Sequence, residues 1–172
     1  MALQPHLAFT SIGSGPNTLE LWLDLCCPHC AKCTGNLASF LVPSVLPGGS
    51  YHGKLRILIR PYPQPWDPPG GWVAEATLAF GRALCSEANR FDSELWFKYF
   101  SVLMERQRDF KGCQVADMSA NQIKEKLYGI AAEVVKGGNG EKSGLSKEEV
   151  AKSMSECVST SSSRKLRITS SH

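Results

Sequence analysis

Four of the chain's seven cysteines stand together at positions 26, 27, 30 and 33, and the other three are scattered at 85, 113 and 157. So uneven a set does not read as a disulfide framework, and the cluster asks for a chemical reason. Within it, Cys27-Pro28-His29-Cys30 has the spacing of a redox dithiol. The surrounding pattern predicts that this tetrapeptide follows a strand and opens a helix. A sulfur at a helix N-terminus lies near unpaired backbone N–H groups and the positive end of the helix dipole. Both favour the thiolate, which is the attacking species in disulfide exchange. Cys30, one turn deeper, is placed to attack a mixed disulfide at Cys27 and release the partner. Pro28 suits the first helical turn, where its missing N–H costs nothing. A protonated His29 would add positive charge beside Cys27 and make the disulfide more oxidising.

Two other readings of the cluster stand beside this one. Cys27, Cys30 and Cys33 repeat at two-residue gaps, as in the first three positions of a bacterial iron–sulfur run. The fourth cysteine of such a run does not follow, since residue 37 is Leu. A zinc site would want a second ligand pair, and the chain has none. The dithiol reading therefore calls for no metal and no cofactor, with Cys33 as an accessory thiol at most. The plainest reading is a set of inert, half-buried thiols, because cysteine packs well as a small apolar residue. Cys26 reads as packing at the strand end, and Cys85, Cys113 and Cys157 read as core thiols.

The elements that would position the dithiol are legible. Residues 18–25 alternate, with Leu19, Leu21, Leu23 and Leu25 on one face and Glu20, Trp22 and Asp24 on the other, which predicts a strand. On that pattern Glu20 and Asp24 belong to a solvated face, with Asp24 as a proton relay near Cys27 the alternative. Trp22, Trp72 and Trp96 are expected in or against the core. Residues 30–46 turn helical, with Leu37, Phe40, Leu41 and Val45 on one side, and residues 54–60 form a second strand. Strand, helix and strand predict a βαβ unit with parallel strands. Residues 6–10 could form a short strand ahead of it. Residues 61–71 hold five prolines and two glycines and form a stiff loop. In that loop Trp66 either packs over the site or anchors the chain locally.

Helical stripes follow. Val73, Ala76, Phe80 and Leu84 make one; Leu95, Trp96, Tyr99, Phe100 and Leu103 make another. Ser119 with Gln122 is a capping box opening a helix that carries Ile123, Leu127, Ile130 and Val134. Ser146 with Glu149 is a second box, ahead of Val150, Met154 and Val158. One domain is expected over residues 1–158, with a Ser/Thr-rich tail over 159–172 in which residues 165–169 could pair as an edge strand.

Charge and composition narrow the partners. A net charge of +3 with no basic block argues against nucleic acid, and no run reaches the roughly 18 apolar residues that cross a bilayer. Residues 1–6 do not pattern as a secretory signal, so a cytoplasmic setting is expected. No phosphate-binding glycine loop, G-x-S-x-G or H-E-x-x-H occurs.

The segment LELWLDLCCPHCAK, residues 19–32, resembles the DsbA-like branch of the thioredoxin superfamily, whose best-known site also reads Cys-Pro-His-Cys. The match is closer to eukaryotic DsbA-like proteins without signal peptides. Those share a strand like residues 56–60 and a segment like Gln64-Pro65-Trp66-Asp67-Pro68. The resemblance runs over about residues 10–135. It implies an α/β thioredoxin-like fold with a large helical insertion, and thiol–disulfide exchange with protein or small-molecule thiols and disulfides. Cys27 would be the nucleophile, Cys30 the resolving thiol, and Pro28 and His29 the tuning residues. It also implies a cis-proline loop facing the dithiol after the helices. All ten prolines lie at or before Pro69, so this chain has no such loop, and the C-terminal half of the sheet is expected to be incomplete. A metal module through Cys27, Cys30 and Cys33, and a non-catalytic interaction protein that keeps the fold, remain open at this point, as does the oligomeric state.

Overall fold

The computed structural model describes residues 5–84, 92–137, 148–149 and 151–156. A 3-10 turn, Pro5–Thr10, replaces the short strand expected over residues 6–10, and strand β1 begins just after it at Ser11–Ser14. Thr10 Oγ1 donates to the Leu7 carbonyl, a local bond that favours the turn. Phe9 fills the core from this turn.

Strand β2, Asn17–Leu23, and strand β3, Leu55–Pro61, run parallel in unbroken register from Asn17 opposite Leu55 to Leu23 opposite Pro61. Strand β1 pairs antiparallel on the other side of β3, giving the order β1-β3-β2. Ile57 and Ile59 in the middle strand are fully buried. Among the described residues no strand follows Pro61, so the sheet stops at three and its expected second half is missing there.

The crossover between the parallel strands is one helical run in three pieces: α1 over Pro28–Asn36, a π turn over Leu37–Leu41, and α2 over Val42–Val45. Pro43 explains the break. A proline inside a helix cannot donate, and its ring crowds the carbonyl four residues back. The wider turn ahead of it is closed by the Val42 N–H donating to the Leu37 carbonyl, and Ser44 Oγ donates to the Phe40 carbonyl at 2.7 Å. Leu37 and Val45 keep their buried places, whereas Phe40, expected on the same face, is 72% exposed.

After the proline-rich loop come α3 (Gly70–Ala83), α4 (Ser93–Glu105), a 3-10 turn (Gln107–Phe110), the short α5 (Gly112–Val115) and α6 (Ala120–Gly137). Each predicted stripe is buried, from Val73, Ala76, Phe80 and Leu84 to Ile123, Leu127, Ile130 and Val134. Helix α4 is the hub, touching α1, α3, α6 and β1. Two of its buried polar groups are satisfied across these contacts. Trp96 Nε1 donates to the Thr77 carbonyl at 2.8 Å, and the Tyr99 hydroxyl donates to the Leu127 carbonyl at 3.0 Å. The Ser119 capping box forms in both directions, with Gln122 Oε1 accepting from the Ser119 N–H and Ser119 Oγ from the Gln122 N–H. Residues 151–156 are helical and Met154 is buried; the second capping box at Ser146, the tail and residues 165–169 lie outside the described residues, as do Cys85 and Cys157. No helix among the described residues is long and apolar enough to cross a membrane.

Candidate active site

Strand β2 ends at Leu23, and the next four residues turn the chain into α1. Asp24 builds this turn. Its carbonyl accepts the Cys27 N–H at 3.2 Å, and its Oδ1 accepts the Cys26 N–H at 2.9 Å. Cys27 is thereby set in extended backbone as the N-cap of α1, with φ −88° and ψ 122°, and Pro28 occupies the first helical position. The Ala31 N–H closes the first turn onto the Cys27 carbonyl, and Thr34 Oγ1 binds the Cys30 carbonyl. The predicted strand–dithiol–helix junction is therefore present. Pro28 and His29 are exposed, while Cys27 and Cys30 are half-buried.

The two thiols are not equivalent. Cys30 lies within hydrogen-bonding reach of Cys27. Burial pushes the Cys30 thiol up to about 11; the Asp24 backbone N–H opposes this, and the bond to Cys27 together with the negative charges nearby adds to it. Cys30 thus holds its proton and donates it toward Cys27. Cys26 is buried and pushed up to about 12 by that burial, with Asp24 and Asp67 adding to the effect and Lys111 opposing it. It is buried as expected of a packing residue, but it sits in the turn beyond β2 and not at the strand end.

Asp24 corrects the sequence reading. Alternation put it on a solvated face with Glu20, yet it is only 3% exposed. The strand has already ended, so its period no longer applies, and the carboxyl turns inward. Burial raises its pKa from the ordinary 3.8; the Cys26 N–H opposes this, Asp67 adds to it, and the Gln64 N–H opposes it. Oδ2 has no hydrogen-bond partner among the described residues. The Pro-rich loop and the start of α3 form the wall here. A Cβ at Gly70 would stand 3.7 Å from both Asp24 Oδ1 and Cys26 Sγ. The signal for its inward turn is its place two residues before Cys26, where a carboxylate can accept a backbone N–H and shape a turn.

Other expectations separate. Cys33 is half-buried in α1, and no three His, Cys, Asp or Glu side chains among the described residues form a set able to hold a metal ion. Cys33 therefore does not join Cys27 and Cys30 as a third ligand. Cys113 is exposed, not a core thiol, because α5 is a single turn at the surface. Trp66 is 72% exposed. Trp22 also points outward, edge-on to Tyr62 and beneath the Arg60 guanidinium, while Trp72 and Trp96 pack as expected. His52 sits in a turn, 3.4 Å from the Val45 carbonyl.

A parallel βαβ unit with a Cys-x-x-Cys at its strand-to-helix junction, followed by a block of helices, is a thioredoxin-like fold with a helical insertion. The chain is similar in fold to a solved structure titled "a putative protein-disulfide isomerase", from Pseudomonas syringae. It matches with a TM-score of 0.58 and 21% identity, over 96% of this chain and 84% of that one. No family model and no curated protein matches the chain.

Proposed function

We propose that the chain is a thiol–disulfide oxidoreductase of DsbA-like type, with Cys27 as nucleophile and Cys30 as resolving thiol. The observation that carries this is the asymmetric pair. Cys27 sits at the mouth of the helix N-terminus, and Cys30 sits behind it, kept protonated by burial and directed at the Cys27 sulfur. The Cys27 thiolate attacks one sulfur of a partner disulfide, forming a mixed disulfide and releasing the first partner thiol. Cys30 then loses its proton and attacks Cys27 Sγ. The Cys27–Cys30 disulfide forms and the second partner thiol leaves, so the partner gains the two electrons the dithiol gives up. Asp24, buried within electrostatic range of Cys30 and with a free Oδ2, is the acceptor for the Cys30 proton. Pro28 and His29 tune the pair from its exposed rim.

The partners on this reading are protein or small-molecule thiols and disulfides. In a reducing compartment such as the cytoplasm the pair rests as the dithiol, which fits reduction or isomerisation better than net disulfide formation. Glutathione-coupled reduction of a protein disulfide tests the proposal with the wild type, Cys27→Ser and Cys30→Ser. Turnover by the wild type, none by Cys27→Ser, and a mixed disulfide trapped at Cys27 in Cys30→Ser are expected. Equal rates in all three proteins, or no turnover by the wild type, would leave a thioredoxin fold without catalysis.

A further inference from the structure

The sheet has two edges, and they are treated differently. The β1 edge is four residues long and carries Gly13 at φ 76°. Short length and irregular backbone are ordinary guards against strand addition. The β2 edge has none of these. It is seven residues long, contains no proline or glycine, keeps unbroken register with β3, and has no strand on its outer side among the described residues. Its single charge, Glu20, is neutralised by an ion pair with Arg60. Its side chains alternate like a core strand, yet Leu19 is 36% exposed and Trp22 is 59% exposed.

We propose that this edge is a self-association surface: β2 pairs antiparallel with β2 of a second copy of the chain, about a two-fold axis through Leu21. The sequence of β2 is complementary to itself in this register. Centred on Leu21, Leu19 of one copy meets Leu23 of the other, and the two Leu21 side chains meet at the axis. Glu20 of the second copy comes opposite Trp22, over whose ring the Arg60 guanidinium lies at 5.3 Å. Carboxylate therefore meets aromatic edge and guanidinium. Centred one residue earlier, the two Glu20 carboxylates would face each other, which disfavours that register. A two-fold pairing uses up the β2 edge of each copy and closes, so the product is a dimer and not a fibre. It joins two three-stranded sheets into one of six.

The test is sedimentation equilibrium of the reduced full chain over a wide concentration range, with amide hydrogen exchange of residues 17–23 followed at each concentration. A monomer–dimer equilibrium is expected, with protection of these amides rising as the dimer fills. Leu21→Lys places two ammonium groups at the axis and weakens association at least about tenfold. Glu20→Lys does the same from the exposed face, where the fold is not at stake. Phe40→Lys, at an exposed aromatic on the π turn, leaves association unchanged. A chain that stays monomeric at every concentration overturns the proposal. Amides 17–23 protected at dilution would then mean that the chain's own residues cover the edge, and free exchange that it stays unpaired. Association that survives both lysine substitutions also overturns it, by placing the interface elsewhere.

Discussion

Asp24 Oδ1 accepts the Cys26 backbone N–H at 2.9 Å, while Oδ2 of the same carboxylate is buried without a partner among the described residues. One oxygen holds the turn into the dithiol and the other is free to take a proton. Asp24→Asn keeps the first role and removes the second. Resolution of the mixed disulfide slows by roughly tenfold or more near neutral pH, as expected on loss of a general base. Quenched mass spectrometry then shows the Cys27 mixed disulfide accumulating, without any change in the rate at which it first forms.

The same carboxyl makes folding stability depend on pH. Its folded pKa is raised above 3.8, chiefly by burial, so the fold favours the protonated form. That stability is fully present below about pH 3.8 and is lost as pH rises through the raised value. Asp24→Asn is therefore expected to melt higher than the wild type at pH 7, with the difference shrinking as pH is lowered toward 4. A melting point that falls equally at both pH values would show that the carboxylate is structural.

Alkylation separates the thiols by position. With Cys30 at about 11 and Cys26 at about 12, only ~one Cys30 in a thousand is ionised at pH 8, and fewer still of Cys26. Iodoacetamide at pH 8 labels Cys27 and the exposed Cys113 well before either, and peptide mapping reads the order. Fast labelling of Cys30 would remove its assignment as the protonated partner.

The fold itself has two sharp tests. A Cβ at Gly81 would fall 2.2 Å from the Phe9 ring, so Gly81→Ala forces the buried N-terminal turn off α3. It costs about 1–3 kcal/mol in urea unfolding. Ser119→Ala removes one half of a complete capping box and costs about 1 kcal/mol by the same measurement.

Periodicity carried the sequence reading where residues stay inside regular elements. The parallel pair β2 and β3, the buried stripes of α3, α4 and α6, and the Ser119 box follow from it directly. It gave wrong faces where an element ended or changed pitch. Asp24 lies one residue beyond β2 and turns inward, and Phe40 lies in the π turn and turns outward. Trp22 followed the alternation, but among the described residues only Tyr62 and Arg60 pack on its ring and it stays 59% exposed, because coverage is a property of the whole fold. Strand β1, Ser-Ile-Gly-Ser, has too little pattern to be seen before it is paired. Cys27 and Cys30 were legible because spacing and the strand-to-helix junction agree. Their order followed from the helix geometry as well; the burial of the Asp24 carboxyl beside them did not.

The π turn between α1 and α2 makes the crossover a jointed rod, not a rigid one. An extra residue in one turn resets the rotational phase of everything after it. The Cys27–Cys30 turn and the Val42–Val45 end therefore seat on the core independently, each by its own side chains. Removing one residue from Leu37–Leu41 would rotate Val45 out of its pocket and weaken the fold, while the dithiol kept its orientation. The chemical end of this helix is insulated from errors at its structural end.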